Sequence, residues 1–556
     1  MGCPRNKQKV GNRVGLLPEF SNIVSLAITN AKIWTGNDSM PWAEALAVRN
    51  DSIIYIGNQA GLQPLLDKKT QLIDAQGNMI TPGFIDCHVH LLAGGANLTS
   101  VQLRDVKTKA DFVKRIADDA ATMSNGTWMT GGDWDESYWG GALPQASWVD
   151  SVTKNHPICL NRVDGHACFA NSAAMKAAGI TAKTKDTVGG MIVRDAKGNP
   201  TGVFKDNAMA LLEKFVAPKT EEQKDKALQV AMDFVASKGV TSVHHMGTWD
   251  DLAVFRRAHQ NNNLKTRLYA NVPLETWAKL RDEIAVNGRG DSWLRIGGLK
   301  GFVDGSLGSR TAAMLKPYTD NPKNKGFYVT PLDTIYHQVG LADRADLSVM
   351  IHAIGDRSIF ELLYIYEAIG IENGDKDRRF RIEHAQHIDP ADIARFAGTG
   401  VIASMQPYHA IDDGRWAEKL IGAERAKTAY PFRDLLTSGA TVVFGSDWFV
   451  APPTPLEGIY AAMTRQTLDG KNPKGWIPAQ KISLEQALKG YTKSAAYASF
   501  EEKIKGTLEV GKLADFVLLG ADLTRIAPEQ IKNVPILMTV VGGRIVYQLE
   551  KPKPVQ

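Results

Sequence analysis

The sequence predicts an α/β protein: a (β/α)8 TIM-type barrel over residues 83–499 and a small β-domain built from both chain ends, residues 22–82 and 500–550. Three observations carry the prediction. The two ends share a β-rich texture that the middle lacks. The middle alternates apolar β-branched runs with helical stretches, the rhythm of a parallel sheet. Most of the histidines outside helical stretches close an apolar run, as polar residues do on the active face of a barrel.

At the amino end, "SLAITNAKIWT", "EALAVRNDSIIYIGN" and "QLIDAQGNMITPG" are short strands broken by Gly, Asn and Asp turns. At the carboxyl end, "GTLEVGKLADFVLLG" and "ILMTVVGGRIVYQ" look the same. Between them, "EEQKDKALQVAMDFVASKG" has helical periodicity. The candidate strands of the middle are "GFIDCHVH", "PICLNRVDGH", "VTSVHHMG", "LKTRLYANV", "LRIGGLKGFVDG", "SVMIHAIGD", "RFRIEHAQH", "VIASMQP" and "TVVFGSDW". That is one more than a barrel needs, so at least one belongs to an insertion. "TWMTGGDW" is a further contender, and the numbering of strands two to four stays open. The sequence has no repeat of 20 to 50 residues, which excludes solenoids and propellers.

Length allows three or four domains at ~150 residues each, although one barrel with insertions can absorb over ~400. Composition is that of a globular chain, 44% hydrophobic and 22% charged. Basic residues exceed acidic ones only by 65 to 60 and form no stripe, which argues against nucleic acid as a partner. No apolar run reaches the ~18 residues of a membrane span, and residues 1–20 hold no signal-peptide core. In the opening "MGCPRN", Asn6 stands where myristoylation wants Ser or Thr. Cys3, Cys87, Cys159 and Cys168 have no CxxC spacing and are expected to be reduced and mostly buried. Cytoplasm is the default location, a leader cut off before Met1 being the alternative. A homo-oligomer is compatible with everything above.

His88 and His90, at i and i+2, point to the same side of a strand and reach one cation. His352 in "HAIGD", His384 and His387 in "RIEHAQH" and Asp447 in "GSDW" also stand at strand ends. Three histidine-bearing strands and a carboxylate make a divalent-metal site, with N and O ligands suited to Zn2+, one ion or two. Of the pair in "RIEHAQH", His384 directly ends the apolar run and is the expected ligand. Lys300 in "GGLKGFVDGS" is open to two interpretations. A buried lysine sheds its proton, and the neutral amine can take up carbon dioxide as a carbamate, an anionic ligand able to bridge two metals. Alternatively, Lys300 forms a salt bridge with Asp304.

The runs "TPGFIDCHVHL", "IHAIGD", "RIEHAQ" and "GSDW", with the tail "GTLEVGKLADFVLL" and "GGRIVY", together resemble the amidohydrolase superfamily. "LKGFVDGSLGSRTA", "NRVDGHACFANSAAM", "GVTSVHHMG" and "SDWFVAPPTPLEGIYAAMTR" are similar to its type 3 group, the branch of N-substituted formamide deformylase. The resemblance spans residues 25–548. It implies a metal-bearing barrel with a split β-sandwich domain, hydrolysis of an amide-type C–N bond in a small molecule, and carboxylation of Lys300. Two departures stand out: His245 occupies the place of an Asp, and Phe449 replaces a Pro after "SDW".

A divalent ion in such a site would lower the pKa of a bound water toward ~7 and supply hydroxide. Asp447 is placed to take the proton and pass it to the leaving amine. His166 in "VDGHA", then Arg310 in "GSRTA" and His409 in "QPYHA", are candidate oxyanion donors; Arg310 could instead grip a substrate carboxylate. The stretch "WMTGGDWDESYWGG", residues 128–141, is a candidate cover that binds an aromatic substrate through Trp134, Tyr138 or Trp139, or else packs on the barrel rim. Two other functions compete: deamination of a cyclic or aromatic amine, which Lys300 disfavours, and a catalytically silent scaffold, which predicts missing ligands.

Overall fold

The computed structural model describes residues 23–550. Cys3 and the "MGCPRN" start lie outside the described residues. Eight parallel strands follow one another in chain order: β1 (Phe84–Val89), β2 (Val240–Met246), β3 (Arg267–Pro273), β4 (Leu294–Phe302), β5 (Ser348–Ala353), β6 (Arg381–His384), β7 (Ile402–Met405) and β8 (Val442–Phe444). Beyond β8 the chain turns back onto β1: Asp447 N donates to His88 O at 2.7 Å and His90 N to Trp448 O at 2.6 Å. The sheet is thus a nearly closed barrel. β1, β2, β5, β6, β7 and β8 are buried along their whole length, as strands covered on both faces must be.

Residues 90–239, between β1 and β2, carry a separate six-stranded sheet. There Met129–Trp134 and Ile158–Arg162 lie side by side, in parallel. "PICLNRVDGH" and "TWMTGGDW" are therefore strands of this insertion, which settles the open numbering of strands two to four. The insertion ends in the helix Glu221–Ser237, started by a Thr220/Gln223 capping box. Its apolar side, Ala227, Leu228, Ala231, Met232 and Val235, is buried in the barrel's core.

Two further sheets use the chain ends. One has four strands, all from residues 26–74; the other joins Lys32–Trp34, Trp42–Ala43 and Met79–Pro82 to Phe516–Leu519, Ile536–Val541 and Arg544–Gln548. Leu26, Ile28, Leu46 and Val48 share one core with Phe516, Leu518 and Val540. Arg267 of β3 grips Asp515 at 2.6 and 3.0 Å, tying this assembly to the barrel. Among the described residues no helix is long and apolar enough to cross a membrane, and Cys87, Cys159 and Cys168 are buried free thiols.

Candidate metal centre

In β1, Asp86, His88 and the following His90 alternate toward the barrel interior, as the period of a strand requires. Asp86 accepts from Ser446 N at 2.8 Å and fixes the loop after β8 against β1. Gly445 permits this approach, because a Cβ there would lie 2.6 Å from His88 N. Asp447 is thereby brought to 3.4 Å from His88 Nε2 and 3.3 Å from His90 Nε2. From the opposite wall, the His384 ring lies 4.8 Å from that of His88 and 4.4 Å from that of His352. Asp447 and His384 have φ of 60° and 75°, a left-handed backbone that costs strain in residues other than glycine.

Two groups of ligand atoms result, each within 4.8 Å: His88, His90 and Asp447, and His384, His409 and Asp447. The second contains His409, expected as a substrate contact, where His352 was expected as a ligand. His352 lies against His384, but its Nε2 is bonded to Gly305 O at 3.1 Å, which leaves Nδ1 free. His387 lies away from this centre, against Tyr430.

The electrostatics suit a cation. Burial, reinforced by the Lys300 charge, lowers His88 to about 4, and burial takes His352 and His384 well below the usual imidazole range. Burial opposes ionisation of Asp447, yet His88, His90 and His384 hold its carboxyl well below the usual carboxylate range. The lowered pKa values of His88, His352 and His384, beside the lowered one of Asp447, favour the neutral-imidazole and carboxylate forms that a metal takes up. His88 Nε2 and His409 Nε2 are buried with no hydrogen-bond partner among the described residues. Such orphans are costly unless something binds them, so the donor set fits a divalent ion.

Three residues that the sequence reading did not single out support the centre. Glu383 Oε2 lies 2.5 Å from His88 Nδ1, which directs Nε2 inward. Its other oxygen lies 2.7 Å from Arg381 Nε. Burial works against Glu383, but Arg381 and His88 hold it at about 2. Gln406 Oε1 lies 3.0 Å from His384 Nδ1. The signal was present in "RFRIEH": a charged pair, Arg381 and Glu383, at i and i+2 of a buried strand.

Lys300 is buried, and burial lowers it to about 8. Its Nζ lies 4.6 Å from the Phe302 ring. The alternative pairing with Asp304 does not form: Asp304 accepts from the backbone N–H groups of Ala313, Ile354 and Gly355 at 2.8–3.0 Å. That carboxylate serves as a bracket for the loops after β4 and β5.

A cleft beside the centre is lined by His166, His352, His384, His409 and Asp447, together with Asp135, Arg162 and Asp164. His166 Nδ1 is bonded to Asp206 at 2.7 Å; burial opposes its protonation, but Asp206 raises its pKa. On the other side, a cavity of about 500 Å³ holds His90 and Lys300 among Met246, Leu274, Phe302 and Ile335.

Several expected substrate contacts lie elsewhere. Trp134 is fully buried in the core of the insertion and its Nε1 donates to Leu160 O at 2.8 Å. Trp139 packs on Phe112 at 5.4 Å. Tyr138 lies 4.5 Å beneath the Arg415 guanidinium and does not line the cleft. The stretch reaches the cleft through Asp135, which pairs with Arg415 at 3.2 Å, because strand alternation sends Trp134 the other way. Arg310 is bound by Asp320 at 2.7 Å outside the cleft. His245 accepts from Leu91 N at 3.1 Å and lies 3.3 Å from Asp251, which occupies both of its ring nitrogens.

The chain is 39% identical over 547 residues to "Protein LONG AFTER FAR-RED 3" of Arabidopsis thaliana, with 96% of this chain and 93% of that protein covered. It is 26% identical to "N-substituted formamide deformylase" of Arthrobacter pascens, covering 94% of this chain and 98% of that one. Among solved structures, an uncharacterized metal-dependent hydrolase from Pyrococcus furiosus superposes with a TM-score of 0.71 at 28% identity, over 91% of this chain and 99% of that one. The sequence profile of the Amidohydrolase family matches residues 71–547. With its barrel, its strand-end histidines and Asp447, the chain belongs to the Amidohydrolase family.

Proposed function

We propose that this metal-dependent hydrolase cleaves the C–N bond of an N-substituted amide, a formamide included, with an apolar group on one side of that bond. The observation that carries the proposal is the convergence of two ligand groups on the shared Asp447. His88, His90 and Asp447 would hold one ion, zinc in this proposal; His384, with His352 or His409, would hold a second. Lys300, as its carbamate, would add an anionic ligand to this set. A divalent ion there supplies a Lewis acid and acidifies water toward a pKa of ~7.

The chain's own groups do the rest. Asp447, held ionised, accepts a proton from the attacking water and returns it to the departing nitrogen. His166, whose pKa Asp206 raises, would in its protonated form offer Nε2–H to the developing oxyanion. The apolar cavity beside Lys300, rather than the tryptophans of the insertion, would seat the apolar group of the substrate. A ring buried against Met246, Leu274 and Phe302 gains roughly 25 cal/mol per Å². Two ligand groups favour this reading over a one-metal deaminase. We also propose that the two sheets of the chain ends form a β-sandwich domain, on the strength of their shared core.

The test is a panel of N-benzyl, N-aryl, aliphatic and charged amides, assayed with wild type and Phe302→Ala. Aromatic amides are expected to show the highest kcat/KM, and Phe302→Ala to narrow the difference. Best turnover of charged amino-acid amides, with aromatic amides inert, would overturn the substrate assignment.

A further inference from the structure

A second cavity, of about 360 Å³, opens at the amino-terminal ends of β3 to β6, the barrel end opposite the metal centre. Its lining includes Tyr269, Arg289, Arg295, Phe380 and Phe500, together with Asp343, Asp346, Lys376, Asp377 and Arg378.

The charges do not cancel locally. Arg378 binds Asp343 through two nitrogens, at 2.9 and 3.1 Å. Lys376 binds Asp346 at 2.8 Å, and Asp377 pairs at 2.9 Å with Arg379, which Glu502 also holds at 2.9 Å. Each carboxylate lining the cavity thus has a cationic partner other than Arg289 and Arg295. Arg289 donates only to backbone carbonyls, Gly297 O at 3.0 Å and Asp346 O at 2.9 Å. The Arg295 side chain makes no hydrogen bond or ion pair among the described residues, and its Nε is buried without a partner.

The strands hold these groups in place. Arg295 stands opposite Tyr269 in the β3–β4 register, and Gly297 leaves room for the Tyr269 ring. Burial, with the nearby Arg295 charge, lowers the pKa of Arg289. Two like charges gathered in one partly closed cavity are unfavourable unless an anion joins them. The planar forks of guanidinium groups match carboxylate and phosphate oxygens. Phe380 and Phe500 offer apolar surface to the body of such a molecule.

We propose that this cavity is a binding site for a small oxyanion, carboxylate or phosphate, gripped by Arg295 and Arg289. The site is separate from the metal centre and does not depend on the reaction proposed there.

The test is calorimetric titration of the full metal-loaded chain with inorganic phosphate and, separately, benzoate, at constant ionic strength set by chloride. Saturable one-site binding of at least one anion is expected. Phosphate alone would identify a phosphate site, and benzoate alone a carboxylate site with an aromatic body. Arg295→Gln and Arg289→Gln should each weaken binding by about 10-fold or more, the worth of a lost charge-assisted hydrogen bond. Arg281→Gln, on an exposed helix, should leave it unchanged. Arg295→Lys, which keeps the charge but not the fork, serves where a glutamine variant fails to fold, and should weaken binding less than Gln does. No binding of either anion by wild type overturns the proposal. So does binding that survives undiminished in folded Arg295 and Arg289 variants, since it then belongs elsewhere, the metal centre included.

Discussion

Replacing Glu383 by Gln keeps the shape of the side chain and removes one charge between two partners. Glu383, His88 and Arg381 are all fully buried, so solvent screens neither contact. If the amide oxygen faces His88, the amide N–H2 is pressed against the Arg381 guanidinium, where the carboxylate oxygen now lies 2.7 Å from Nε. If the nitrogen faces His88, it must donate to Nδ1, which moves the ring proton to Nε2 and closes the lone pair meant for a metal. Either way the buried Arg381 charge loses its counter-ion, a loss of about 3–5 kcal/mol. His88 also loses the partner that orients it, worth about 10–100-fold in metal affinity. Urea unfolding of metal-stripped protein measures the first effect, and competition with a zinc chelator measures the second. Glu383→Gln with stability within about 1 kcal/mol of wild type and unchanged zinc affinity would refute this account of Glu383.

Asp447→Asn should keep the fold and lose ~10²–10⁴ in kcat; a raised KM at normal kcat would show that the proton travels by another group. Trp134→Ala should destabilise the protein by about 3–5 kcal/mol, as emptying a packed site does. It should leave the ranking of amide substrates alone, and a changed ranking with normal stability would restore the substrate role. Burial holds His387 at about 3, and neither of its ring nitrogens has a partner among the described residues. Its unfolded pKa is ~6.5, so below that pH the unfolded chain binds a proton that the folded form refuses. This contribution is complete above pH ~6.5 and is lost toward pH 3, at about 1.4 kcal/mol per pH unit. His387→Leu should therefore show about 2 kcal/mol less destabilisation than wild type between pH 7 and 5, by urea titration at each pH; identical slopes would contradict it.

Much of the barrel was legible because its strands are short apolar runs ended by polar residues. Eight of the nine candidate strands are β1 to β8. "PICLNRVDGH" could not be separated from them, since a strand buried on both faces looks the same in either sheet. The chain ends showed their β character through alternation, while their partners depend on contacts far apart in sequence. His88, His90, His384 and Asp447 were legible as strand-end residues. Glu383 was not, because a charged residue inside an apolar run passes for interruption until its partners, Arg381 and the distant His88, are seen. Trp134 misled differently: "TWMTGGDW" was a contender for a strand, but which face of that strand the ring occupies depends on the insertion core that buries it.

The most direct test of the metal centre is the metal content of the purified protein, measured alongside amide hydrolysis before chelation, after it, and after restoring zinc. The account predicts one to two equivalents of zinc or a similar divalent ion, hydrolysis that vanishes with the metal, and recovery when it returns. Full hydrolytic activity in protein that holds no metal would contradict it.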